Sequence, residues 1–188
     1  MSGSHTAALK FAMARIQPET RVLDVGAGMS PLAGRLAMEH GCRVLAVDIN
    51  RERLMRGWES AGKIYEISVG DICGMDLPCG GFDAVAALYS LQCMIGYEPQ
   101  VWVLIRQWLK KGGKFIAASR YRLNSPQYEG DRGDPLYSQD EHTIRTLAEF
   151  CGFSIGCIET YFYDEASYNQ EPVGSPKANA VLFELVAK

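Results

Sequence analysis

The chain has 188 residues, of which 47% are hydrophobic and 22% charged, with a formal net charge of −3. That length suits one domain with a substantial core, and the acidic balance provides no electrostatic footprint for nucleic acid. No apolar run approaches ~18 residues and no basic segment precedes a long apolar core, so neither a membrane span nor a secretion signal is expected, and a cytoplasmic protein is.

The opening SGSH is assigned no function, and residues 6–16, TAALKFAMARI, have helical spacing. In RVLDVGAGMSPLAGRLA (21–37), Val22, Leu23 and Val25 suit a strand covered on both faces, as parallel strands are. Gly26 and Gly28 open a turn that other residues would strain. Ser30 then reads as an N-cap with Pro31 at the first helical position. A strand, a glycine turn and a helix N-terminus together form a site that favours negative charge. Asp24 is out of place in this strand, because a buried carboxylate needs a partner.

CRVLAVD (42–48) is a second buried strand ending in an acid, RERLMRGWES (51–60) a helix, and KIYEISVGD (63–71) a third strand. FDAVAALYS (82–90) is the fourth. EPQVWVLIRQWLKKGG (98–113) predicts an amphipathic helix with lysines and glycines at its end, and KFIAAS (114–119) is the fifth strand. DEHTIRTLAEFCGF (140–153) is a helix in whose solvated first turn His142 falls. FSIGCIETYFY (153–163) and NAVLFELVAK (179–188) are two strands with no helix between them. The expected architecture is a single α/β domain over 1–188: a Rossmann-like three-layer sandwich on a seven-stranded, mainly parallel sheet with an antiparallel terminal hairpin. In such a fold, ligands bind at the carboxyl ends of the strands.

The six cysteines, at 42, 73, 79, 93, 151 and 157, form no C-x-x-C pair and have no histidine at ligand spacing, so no metal is expected. Asp48 follows Gly26 by about the interval at which an acid meets a bound ribose. Asp71, in GDI after the third strand, can accept from an exocyclic amino group.

The ordered set VLDVGAGMS, the acid ending VLAVD, GDI, FDAVAALYSLQ and LKKGGKFIAAS resembles the class I S-adenosylmethionine-dependent methyltransferases over residues 20 to 120. The resemblance implies S-adenosyl-L-methionine as cofactor and S-adenosyl-L-homocysteine as product. It assigns Asp24, Gly26, Ala27 and Gly28 to the methionine end, Asp48 to the ribose, Ile49, Asp71 and Ile72 to the adenine, and Leu88 to the same trough. In this family the acid of the first motif helps set the loop and the cofactor's ammonium end, directly or through water, which would partner Asp24 with backbone N–H groups and a cation. A compatible alternative is a carboxylate that merely caps the glycine loop. A nicotinamide oxidoreductase is disfavoured because Pro31 holds the third position of its fingerprint.

The resemblance implies methyl transfer to a small-molecule acceptor, through oxygen or nitrogen, with positioning as the main catalytic device. The alternative is a non-catalytic cofactor-binding or partner subunit. No general base is evident: many relatives carry a histidine after the fourth strand, where this chain has Cys93. The loop also lacks the Asn/Asp-Pro-Pro-aromatic pattern of enzymes acting on nucleic-acid bases. Tyr89 is the candidate catalytic residue. Two long connections, 120–139 and 161–177, supply the acceptor-side candidates Tyr121, Tyr128 and Tyr163.

Overall fold

The computed structural model describes residues 3–94, 98–121, 127–129, 135–137, 139–162 and 179–188. Five strands run parallel, β1 (Arg21–Val25), β2 (Arg43–Asp48), β3 (Glu66–Val69), β4 (Phe82–Leu88) and β5 (Leu109–Tyr121). In the connection after β5, β6 (Gln127–Glu129) and β7 (Pro135–Tyr137) form a separate antiparallel pair. The strands β8 (Phe153–Phe162) and β9 (Asn179–Ala187) complete the main sheet, in the order β3-β2-β1-β4-β5-β9-β8, with β9 antiparallel to both neighbours. The expected seven-stranded Rossmann-like sheet with its antiparallel hairpin is therefore the observed fold.

Helices α1 (Gly3–Arg15), α2 (Leu32–His40), α3 (Arg51–Ser60), α4 (Glu98–Trp108) and α5 (Glu141–Phe150) flank the sheet. Strand residues alternate between two cores, as the period of two requires. On one face, Leu23, Val25, Val85 and Phe115 pack with Trp102 and Ile105 of α4 and Ile144 of α5. On the other, Val22, Ala46, Ala86 and Ala118 pack with Ala8, Phe11 and Ala12 of α1 and with Leu36 and Leu54. Trp102 stacks on Phe183 at 5.5 Å and meets Phe115 edge-on at 5.2 Å, joining α4 to the β5–β9 pair.

Several boundaries differ from the sequence reading. The helix expected over 98–113 stops at Trp108, because Leu109 already pairs with Phe82 in the sheet. Gly112, at φ +77°, turns the chain inside the irregular start of β5 instead of capping a helix. The β6–β7 pair was not expected, since strands of three residues carry too few positions to show a period. Asp140 caps α5 by accepting from the Thr143 amide at 2.8 Å, and His142 is exposed in the first turn as expected. Among the described residues, no helix is long and apolar enough to cross a membrane, no metal-ligating cluster occurs, and no cysteine is in a disulfide.

Candidate cofactor site and acceptor end

The glycine turn grows directly out of β1. Gly26 and Gly28 take φ of +67° and +50°, and the amides of Gly26 and Ala27 both donate to the Val47 carbonyl of β2, at 2.8 and 3.0 Å. Ser30 Oγ accepts from the Leu32 amide at 3.3 Å, but α2 begins at Leu32 with Pro31 at its N-cap, one residue later than the Ser30 cap expected from the sequence. The turn is closed in from two sides. A Cβ on Gly26 would lie 2.3 Å from Ser90 Cβ, and one on Gly57 of α3 would lie 2.7 Å from the Gly28 carbonyl oxygen. The hydroxyl of Ser90 donates to the Val25 carbonyl at 2.7 Å, tying the end of β4 to the end of β1.

Asp48 caps this turn. Its Oδ2 accepts from the Gly28 amide at 2.8 Å and its Oδ1 from the Asn50 amide at 2.7 Å. Asp24 does neither. It is 1% exposed and its Oδ2 has no hydrogen-bond partner among the described residues. The direct capping of the loop amides expected of Asp24 is therefore corrected: the amides of Gly26 and Ala27 are engaged by Val47 and that of Gly28 by Asp48. Burial first, and the charge of Asp48 second, push the Asp24 carboxyl up to about 7. The charge of Asp24 in turn adds to burial in raising Tyr65, to about 12.

The remaining assigned positions surround the same strand ends. The side chain of Ile49 is 73% exposed beside Asp48, an unusual state for isoleucine that leaves an apolar surface open to a flat ring. The Gly70 amide donates to the Asp48 carbonyl at 3.1 Å, which brings Asp71 alongside. Asp71 Oδ1 accepts from the Cys73 amide at 3.0 Å and opens a short 3-10 turn. Ile72 sends its side chain into the core, so what it can offer a ring is backbone. Leu88 is half-buried at the end of β4, against the core on the α1 face.

Tyr89 follows Leu88 at φ +60°, a left-handed conformation that is rare for an aromatic residue and concentrates at functional sites. Its amide donates to the Ala118 carbonyl at 2.7 Å, and its ring lies against the His5 imidazole at 4.6 Å between centroids. The backbones of Tyr121 and Tyr128 belong to β5 and β6, but their side chains lie outside the described residues, as do Tyr163 and the loop 164–176.

The family model for methyltransferase domains matches residues 23–117, from the middle of β1 into β5. The chain belongs to the class I S-adenosylmethionine-dependent methyltransferases. It is 29% identical over 168 residues to the sterol 24-C-methyltransferase of Yarrowia lipolytica, a match covering 80% of this chain and 44% of that one. The chain thus spans less than half the length of the curated relatives it matches. The fold is similar to that of an S-adenosylmethionine-dependent methyltransferase from Mesorhizobium loti, with a TM-score of 0.74, 18% identity and 98% of each chain covered. It is also similar to a chain in the complex between the Haloferax volcanii Trm112 methyltransferase activator and a methyltransferase, with a TM-score of 0.81, 18% identity, and 98% and 90% covered.

S-adenosylmethionine is the cofactor of this methyltransferase, and the residues present fit it. An orphaned buried acid suits a cationic amino group, a glycine turn admits close approach, and an exposed isoleucine suits a purine. Sequence reasoning missed several residues that shape this trough. Gly57 and Ser90 line the glycine turn, and Arg53 brings its guanidinium within 3.5 Å of where a Gly28 Cβ would stand. Arg53 and Gly57 sit at helical spacing on α3, on the side that meets the turn, but only the packing of α3 onto that turn reveals it. His5, in the segment assigned no function, also proves to touch the candidate catalytic tyrosine.

Proposed function

We propose that this methyltransferase acts on a small polar molecule, methylating oxygen or nitrogen. The observation carrying this reading is the polar character of the strand ends beyond Tyr89. Gln92 Oε1 accepts from the Arg120 amide at 3.2 Å, and the Gln139 amide donates to the Arg120 carbonyl at 3.1 Å. The side chains of Ser119 and Gln139 are buried at 0% and 1% exposure, with Ser119 Oγ and both amide atoms of Gln139 unpartnered among the described residues. Buried donors and acceptors of this kind are expensive unless something pairs with them. Such a polar end suits an acceptor with polar groups of its own better than the hydrocarbon of a sterol.

When bound, the cofactor supplies a methyl carbon already activated on a sulfonium. The task left to the chain is alignment. Asp48 would take the ribose hydroxyls, Ile49 and Asp71 the purine, and Asp24 the ammonium end, which leaves the acceptor to be held beyond Tyr89. Holding nucleophile and methyl carbon in line at contact distance supplies most of the acceleration such a reaction needs.

The curated relatives are named as sterol 24-C-methyltransferases, so a sterol carbon is the rival acceptor. Incubation with methyl-labelled S-adenosylmethionine and a panel of phenols, amines, carboxylic acids and sterols separates the two. Label in one of the polar classes is the expected result. Label confined to sterols would overturn the reading.

A further inference from the structure

The helix α1 runs against the direction of the parallel strands. Near its C-terminal end, the Arg15 carbonyl accepts from Lys114 Nζ at 3.2 Å, at the start of the regular part of β5. At its N-terminal end, His5 meets Tyr89, just past the end of β4. Ala8, Leu9, Ala12 and Ile16 anchor the helix in the core with Ala84, Ala86, Ile116 and Ala118, so its direction is set by packing. The consequence is that α1 delivers an imidazole to the carboxyl ends of the strands. The residue after Tyr89 is Ser90, which is in contact with the glycine turn, so the His5–Tyr89 pair stands one residue from the wall of the methionine end.

We propose that His5 forms the acceptor-side wall over the transferable methyl and acts as the general base for an acceptor that must lose a proton; this rests on the methyl-transfer reading above. His5 receives the proton leaving the acceptor heteroatom as that atom's lone pair forms the bond to the methyl carbon. The electron pair of the broken carbon–sulfur bond stays on sulfur, which becomes neutral. The exposed imidazole then returns its proton to water. Among the described residues, the groups that face it include the phenol of Tyr89 after β4 and the guanidinium of Arg120 on β5. Partial desolvation against Tyr89, and then Arg120, hold the imidazole below its ordinary 6.5, which favours the neutral form a base needs at pH 7.

S-adenosylmethionine and S-adenosylhomocysteine share every group except the methyl and its positive charge, so comparing them isolates that charge. Imidazole proton spectra titrated from pH 5 to 8.5 in saturating amounts of each ligand provide the test, with the His5 signal assigned from the variant His5→Gln. The His5 pKa should be lower with S-adenosylmethionine by about half a pH unit or more, because a nearby cation disfavours imidazolium. The signals of His40 and His142 should not distinguish the ligands. Equal His5 titration in two saturated complexes overturns the proposal while leaving the methyltransferase reading intact. If neither ligand binds, that reading falls and the role of His5 with it. In the transfer assay, His5→Gln should lower kcat about a hundredfold or more and remove the acid limb of its pH profile. An unchanged kcat overturns the base role.

Discussion

Asp24 is 1% exposed with its Oδ2 unpartnered among the described residues, and its carboxyl is raised from 3.8 to about 7 by burial and by Asp48. A carboxyl that binds its proton more tightly when folded favours folding in the protonated state. In the protein without cofactor, this stabilisation is fully present below pH 4 and is lost as the pH rises through about 7. The interval corresponds to about 4 kcal/mol at most. Asp24→Asn removes the titration, so urea unfolding should show the variant gaining stability over the wild type between pH 5 and 8. A parallel fall in the two proteins would show that the penalty lies elsewhere. A cationic amino group beside Asp24 favours the anion, so the affinity for S-adenosylhomocysteine should rise from pH 6 to 8 in the wild type and less in the variant.

At the scale of the element, α3 shows how packing can invert a propensity. Replacing glycine by alanine in a helix interior ordinarily stabilises by about 1 kcal/mol. At Gly57 the added Cβ would stand 2.7 Å from the Gly28 carbonyl oxygen and 3.2 Å from Met29 Cα, both backbone atoms of the cofactor turn. Gly57→Ala should therefore destabilise, by about 1–3 kcal/mol as overpacking does, and should weaken cofactor binding by moving the turn. Thermal unfolding together with calorimetric titration of S-adenosylhomocysteine checks both effects, and a more stable variant with unchanged affinity would count against the close packing of α3. The extent of α3 was legible from residues 51–60, whereas its contact with the turn was not. For α4 even the extent was not legible, because its apolar period continues past the point where Leu109 joins the sheet.

At the scale of the molecule, the sheet order β3-β2-β1-β4-β5-β9-β8 brings the ends of β1, β2 and β4 to one edge, so loops that are remote in sequence share one trough. The net charge of −3 bears on partners. Affinity for nucleic acid grows with the phosphates that lysine and arginine neutralise, and this chain has 19 such residues against 22 acids. Gel-shift titration in physiological salt should show no specific binding to duplex DNA or structured RNA at sub-micromolar protein, and a discrete shifted complex would contradict the small-molecule reading.

The strand–turn–helix at 21–37, the acids closing the second and third strands, and the antiparallel ending were determined by the sequence itself. Each rests on local rules: alternation or runs of apolar residues, glycine at left-handed angles, and capping chemistry within a few residues. Only the tertiary structure decided which acid holds the turn. Asp48 reaches the Gly28 amide across 20 residues of chain, and Asp24, nearer in sequence, is buried with its Oδ2 unpartnered among the described residues. It also decided that His5 meets Tyr89, because that contact depends on α1 running against the strands. Local patterns fix backbone conformation through neighbouring residues, but the pairing of side chains across a trough depends on how whole elements pack.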